Sequence, residues 1–221
     1  SAQKYGLADS ISYALWDNGY FPETGIYGGS KTPSGSQSML AALGRSLYGI
    51  GSISKIYTTV SVMKLAEAGK INLDSPVTTY LKEFKMADSR YTSITVRMLL
   101  NHSSGLAGTS SANAFLFDDD DQQATDDLLN RLSTQRLKAD PGAFSVYCND
   151  GFTLAELIVG AVSGKDFMDY VRAEILSPLE LKNTFAPQDS FPRSFLAPTY
   201  ATADDSRELL PESLGIVGTG G

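Results

Sequence analysis

The stretch GSISKIYTTVSVMK, residues 51–64, contains the pattern Ser-x-x-Lys twice, as Ser52 with Lys55 and as Ser61 with Lys64. A chain rich in serine produces this pattern by chance, so the flanking sequence has to decide whether either serine is a nucleophile. Ser52 stands where glycines give way to a helical pattern, which puts its side chain at an exposed helix N-terminus with free backbone N–H groups. Such an end favours developing negative charge on an alkoxide and disfavours a protonated amine beside it. Lys55 follows one turn later on the same face, within reach of the Ser52 oxygen. Desolvated there, its amine would be held neutral and serve as a base. Ser61 lies more than two turns inside the helix, where a serine hydroxyl bonds back to the carbonyl four residues earlier. The competing structural reading of Ser52 is a helix-capping serine.

Outward from this stretch, the pattern predicts a helix from about Ser52 to Ala68, with Ile56, Thr59, Val60, Met63 and Ala66 sharing one face and Gly69 suited to the C-terminal cap. Upstream, alternating apolar residues break at Asp17-Asn18-Gly19 and resume with aromatics, which reads as an antiparallel hairpin with strands at residues 11–16 and 20–28. The segment GSKTPSGSQSM is a polar loop. Downstream, NLDSPVTTYL reads as a turn feeding a short helix, with Asp74 or Ser75 as cap and Pro76 in its first turn. A further short helix starts near Val96 behind the cap Thr95. Three more helical patterns follow, in FDDDDQQATDDLLNRLSTQRL, NDGFTLAELIVGAVSG and DFMDYVRAEILSPLEL. The chain then ends apolar and glycine-rich without a clear return to strands, and a lone hairpin needs further strands or a helix against it.

Composition narrows the classes of function. With 42% hydrophobic and 19% charged residues over 221 positions, the sequence suits one sizeable core or a core with a subdomain. A net charge of -7 with scattered Lys and Arg argues against a nucleic-acid partner. One cysteine, Cys148, excludes an internal disulfide framework, and one histidine, His102, leaves a single ring for any Ser-His-Asp triad or His-based metal site. No apolar run approaches a membrane span. The first residue is Ser rather than Met, which reads as removal of a signal segment or a tag. The acidic run Asp118 to Asp121 lacks the alternation and glycine of a calcium loop and reads as a solvated approach to a helix.

A second candidate element is FSVYCNDG, in which Tyr147 and Asn149 flank Cys148 between the turn at Pro141-Gly142 and a helix. A phenol and an amide two residues apart can point into one cleft, the phenol for proton transfer and the amide for binding. The structural alternative is a half-buried packing tyrosine with its hydroxyl satisfied.

Taken together, YGIGSISKIYTTVSVMKLAEAGKINLDSPVTTYL, ITVRMLLNHSSGL and PGAFSVYCNDGFTLAELIVGAVSG followed by ILSPLELKNTF resemble successive blocks of the serine β-lactamase-related family, in that family's order and over most of residues 48–186. The family includes class C β-lactamases, penicillin-binding proteins, D-Ala-D-Ala carboxypeptidases, D-aminopeptidases and esterases. The resemblance implies an α/β (α+β) fold of the β-lactamase/transpeptidase type, an antiparallel sheet flanked by helices plus a helical subdomain. Residues 1–72 would supply the hairpin and nucleophile helix, 73–185 the mainly helical subdomain, and 186–221 the start of the return to the sheet. It implies Ser52 as the acylated nucleophile, Lys55 as its partner, and Tyr147 with Asn149 as the Tyr-x-Asn element, Asn149 on the substrate side. Cys148 takes the variable middle position, a neighbour rather than a nucleophile. His102, in a His-x-Ser-Gly-Leu turn, is implied to be a hydrogen-bonded scaffold residue. The triad reading of it also lacks a Gly-x-Ser-x-Gly elbow.

The family's third element, Lys or His followed by a small residue and Gly on a late strand, has no match. Lys31-Thr32-Pro33 carries Pro for Gly in an early loop, and Gly218 to Gly221 include no basic residue. The expectation is therefore that the C-terminal strands are absent from this chain. The sequence would be the N-terminal piece of a longer enzyme completed by a second polypeptide, or a truncated chain, inactive and aggregation-prone alone. The implied activity is a serine hydrolase that forms an acyl-enzyme on Ser52 with a β-lactam, a D-amino-acid peptide or an ester. No metal or cofactor is implied, and either Lys55 or Tyr147 takes the first proton. The alternative is a non-catalytic penicillin-binding or sensor protein. Cell-wall chemistry suits a secreted or envelope location, although cytoplasmic members exist.

Overall fold

The computed structural model describes residues 10–28, 47–109, 124–186, 189–191, 195–197, 200–203 and 206–209. Two compact units are distinguished, Ser1–Gly49 with Ser190–Leu209 and Ile50–Asp189 with Leu210–Gly221.

In the first unit, strands β1 (Ser10–Asp17) and β2 (Tyr20–Gly28) pair antiparallel from Ser10 opposite Gly28 to Asp17 opposite Tyr20, with a register shift between Leu15 and Asp17. Asn18 and Gly19 both have positive φ, 46° and 94°. That is the backbone a tight two-residue hairpin turn demands, and Asn-Gly supplies it at little cost. Leu47 is bridged to Leu196 in parallel, its N–H donating to the Phe195 carbonyl while the Ala197 N–H donates to its own carbonyl, both at 2.7 Å. A second hairpin, β3 (Tyr200–Ala203) with β4 (Ser206–Leu209), corrects the reading of a chain that ends without strands. Four-residue strands leave too short an alternation to be read from sequence.

The second unit is helical. A 3₁₀ turn, Gly51–Ile53, leads into α1 (Ser54–Glu67). At its far end the Gly69 N–H donates to the Ala66 carbonyl and the Lys70 N–H to the Leu65 carbonyl, a two-bond glycine cap with Gly69 at φ 71°. Helix α2 (Val96–Leu100) is capped by Thr95, whose side chain accepts the Met98 N–H. Helix α3 (Ala124–Thr134) buries Leu128 and Leu132 completely. Helix α4 (Asn149–Ser163) packs against α1, α2 and α3 and ends at the left-handed Gly164. Helix α5 (Phe167–Val171) starts behind Asp166, which accepts the N–H groups of Met168 and Asp169, and widens into a π turn over Arg172–Leu176. The core of the unit includes Val62, Leu65, Leu99, Leu154 and Ile158, all within 2% of complete burial.

Two sequence expectations are corrected here. The face of α1 that carries Ile56, Val60 and Met63 is the exposed one, with Ile56 60% accessible. The buried face is Ser54, Lys55, Thr58, Ser61, Val62 and Leu65. Ser61 tolerates burial because its hydroxyl donates to the Tyr57 carbonyl at 2.8 Å. The helix after Asp74 is a single 3₁₀ turn, Val77–Thr79, without a side-chain cap. Asp74 instead accepts two hydrogen bonds from Arg97, at 2.7 and 2.9 Å, so its carboxylate is spent on an ion pair. The loops containing Lys31 and Asp118 to Asp121, and the Gly218 to Gly221 segment, lie outside the described residues. Among the described residues no helix is long and apolar enough to cross a membrane.

Candidate active site

Three side chains that the sequence separates by 95 positions meet at one oxygen. Gly51 has φ of 50°, a left-handed conformation that turns the chain into the 3₁₀ entry of α1 and presents Ser52 at its mouth. Lys55 lies in the first turn of α1, only 6% exposed, and its Nζ donates to Ser52 Oγ at 3.2 Å. The Tyr147 hydroxyl donates to the same oxygen at 2.6 Å. Lys55 Nζ also stands 4.8 Å from the Tyr147 ring centroid and 5.5 Å from that of Phe152. Two aromatic rings thus stand beside the lysine amine.

The electrostatics follow from this packing. Burial pushes the Tyr147 phenol up, but hydrogen bonds with Lys55 and Ser52 and the lysine charge outweigh it, so the phenol sits below its usual range. The second Ser-x-x-Lys shows the contrast. Ser61 is fully buried and back-bonded, and Lys64 reaches toward Glu174 at 3.7 Å. Only the first pattern builds a site.

Tyr147 is delivered by the extended residues ahead of α4, which are held along the loop of residues 101–109. Ser145 Oγ donates to the Asn101 carbonyl at 2.8 Å and the Val146 N–H to the His102 carbonyl at 2.9 Å. The Cys148 N–H donates to His102 Nδ1 at 3.1 Å. The Asp150 N–H donates to the Gly108 carbonyl at 3.1 Å. Asn149, first residue of α4, donates from Nδ2 to Thr109 Oγ1 at 2.9 Å. Asn149 thus lies two residues beyond the phenol, its amide oriented by the facing loop.

Cys148 points the other way. It is 2% exposed, its thiol bonds to the Gly108 carbonyl at 3.2 Å, and burial pushes it above the usual thiol range. That is the state of an inert packing thiol. His102 is not arranged as a triad base either, because Nδ1, the nitrogen an orienting carboxylate would hold, accepts a backbone N–H. Burial and then the Lys55 charge keep its imidazole below the usual value. The stacking of His102 on Tyr147, with ring centroids 4.6 Å apart, and the Phe152 wall under Lys55 had no signal in the sequence. Among the described residues no group of three or more His, Cys, Asp or Glu is placed to hold a metal ion.

Comparison with known proteins identifies the family and the fold. The family model described as Beta-lactamase matches residues 26–219. Penicillin-binding protein 4 of Amycolatopsis lactamdurans is 30% identical over 141 residues, 62% of this chain and 35% of that protein. Among solved structures, the D-amino acid amidase from Ochrobactrum anthropi SV3 superposes with a TM-score of 0.76 at 25% identity, over 99% of this chain and 61% of that one. The octameric penicillin-binding protein homologue from Pyrococcus abyssi gives 0.74 at 25% identity, over all of this chain and 50% of that one. The chain therefore spans between about a third and three fifths of the length of these relatives. Its fold is that of the β-lactamase/transpeptidase proteins, and the chain belongs to the beta-lactamase family.

Proposed function

We propose that this chain carries the nucleophilic centre of a serine hydrolase of the penicillin-recognising type, with Ser52 acylated by a β-lactam, a D-amino-acid peptide or amide, or an ester. The observation that carries the reading is the convergence of Lys55 Nζ and the Tyr147 hydroxyl on Ser52 Oγ, at 3.2 and 2.6 Å. The names of its relatives, a penicillin-binding protein and a D-amino acid amidase, support the substrate classes.

In the reaction, Tyr147 acts in its phenolate form: Ser52 Oγ forms a bond to the substrate carbonyl carbon while its proton passes to the phenolate oxygen, the nearer of the two groups. A phenol with lowered proton affinity is suited to that exchange, since it releases the proton again to the leaving nitrogen or oxygen as the bond between that atom and the carbonyl carbon breaks. Lys55 aims the serine oxygen and holds the phenol low, while Asn149 stands by for the substrate amide. Water then attacks the acyl-serine by the reverse proton path.

Intact-mass spectrometry after exposure to a β-lactam, a fluorophosphonate and a D-phenylalanine ester, with peptide mapping, tests the proposal. One adduct per chain on the Ser52 peptide, lost in Ser52→Ala, is the expected result. An adduct elsewhere, or one that survives Ser52→Ala, overturns it. Release of the acyl group on further incubation separates a hydrolase from a sensor that stops at the acylated state.

A further inference from the structure

We propose that His102 is a positioning residue for Tyr147, clasping the backbone on both sides of the phenol and packing against its ring, and that it does so only as the neutral imidazole. This rests on the reading of Ser52, Lys55 and Tyr147 as the acylation centre. The clasp has two points. The His102 carbonyl accepts the Val146 N–H at 2.9 Å, and its Nδ1 accepts the Cys148 N–H at 3.1 Å, so the residues immediately before and after Tyr147 are both fixed to one amino acid. Between them the Tyr147 ring lies on the imidazole, centroids 4.6 Å apart and planes tilted by 36°. The imidazole is backed by Phe152, at 5.1 Å.

The backbone of His102 is specialised for this grip. Its φ is 62°, in the left-handed region that residues other than glycine seldom enter. That conformation aims the carbonyl and the side chain of one residue at the same neighbouring segment. Strain of this kind persists where the surroundings over-determine it, and here those surroundings are the partners of the phenol.

Only an unprotonated Nδ1 can accept the Cys148 N–H. Protonation sets two donors against each other and adds a cation near Lys55. Among the described residues, the titratable groups facing the ring are Lys55 from α1 and Tyr147 and Cys148 from the segment before α4. Burial and the Lys55 charge hold the imidazole below its usual value, so the clasp is closed at neutral pH and opens as pH falls through that depressed value.

His102 is the one histidine in the sequence, so its imidazole proton resonance is unambiguous by NMR. The test follows that titration beside the rate of Ser52 labelling by a β-lactam across the acid range, in the wild type, His102→Ala and His102→Asn. Asparagine keeps an acceptor at the Nδ1 position, tolerates positive φ and does not titrate. The expected result is an acid fall in wild-type labelling that coincides with the imidazole titration. Labelling in His102→Ala slows on the order of 100-fold, and His102→Asn restores most of the rate without the acid inflection at the imidazole value. Where His102→Ala fails to fold, the asparagine variant decides alone. The same acid inflection in His102→Asn as in the wild type overturns the proposal, as does a wild-type inflection that misses the imidazole titration. Wild-type protein that carries no label on Ser52 instead overturns the acylation centre itself.

Discussion

Tyr147 is half exposed, yet its hydroxyl is shared with a serine and its ring with a lysine, and this pairing sets its chemistry. Because its proton affinity is lowered in the folded chain, the phenolate fraction rises with pH and reaches half below the ordinary value near 10. Acylation limited by that base increases through the same range and levels off above it. Lys55→Ala removes the group that holds the phenol down, so the alkaline limb moves to higher pH, in addition to a loss of rate. Tyr147→Phe removes the limb and slows acylation by about 10²–10⁴-fold. A pH–rate profile of Ser52 labelling checks both, and an unchanged limb in Lys55→Ala would refute the assigned coupling. Asp88 offers a stability counterpart away from the site. It is 4% exposed, accepts from Arg90 Nε and a terminal guanidinium nitrogen and from the Leu137 N–H, and its carboxyl is held far below the usual range, chiefly by the Arg90 hydrogen bonds. A carboxyl whose folded value is depressed stabilises the chain above its unfolded value, about pH 4, and loses that contribution as pH falls toward the folded one. Asp88→Asn is expected to lower the urea midpoint at neutral pH and to flatten its decline between about pH 4 and the lowest pH at which the chain stays folded.

At the scale of elements, the legible features were those set by a few adjacent residues. The Asn18-Gly19 turn, the Thr95 cap and the Gly69 helix end are local solutions to backbone demands, and each falls where its residues place it. The buried side of α1 was not legible, because Thr58 and Ser61 face the core while Ile56 and Met63 face out. Back-bonded hydroxyls read as polar in a sequence but enter a core at little cost, so the partner helix decides the face. For the site, Ser52 and Lys55 are one turn apart and were visible as a unit. The clasp on Tyr147 joins residues 46 apart and was not. The loop of residues 101–109 that makes the clasp depends on Gly105, at φ 77°, where an added Cβ would lie 2.4 Å from the Ala139 carbonyl oxygen. Backbone has little room to yield there, so Gly105→Ala combines left-handed strain with overpacking and is expected to cost roughly 2–4 kcal/mol. Urea denaturation measures it, and a loss under about 0.5 kcal/mol, the usual range of a surface change, would show that the loop shifts freely.

At the scale of the whole molecule, the two units differ in what holds them. The helical unit encloses Val62, Leu99, Leu154 and Ile158 at 0% exposure and places all of Ser52, Lys55 and Tyr147 on its own elements. In the other unit the described strands form two sheets of two strands each, and Leu15 and Trp16 are 50% and 63% exposed. Two-stranded ribbons are marginal on their own, so the strand unit is expected to yield first. Trp16 is the one tryptophan in the sequence and sits on β1, which makes its fluorescence a reporter of the strand unit, while far-UV circular dichroism is dominated by the helices. Urea unfolding of this chain should therefore give a tryptophan transition at lower denaturant than the dichroism transition, the signature of a chain that is not two-state. Cys148, buried on the α4 side, should stay shielded from a thiol reagent until the second transition. Coincident curves from all three probes would mean that the units melt as one cooperative body, and the separation argued from burial would be wrong.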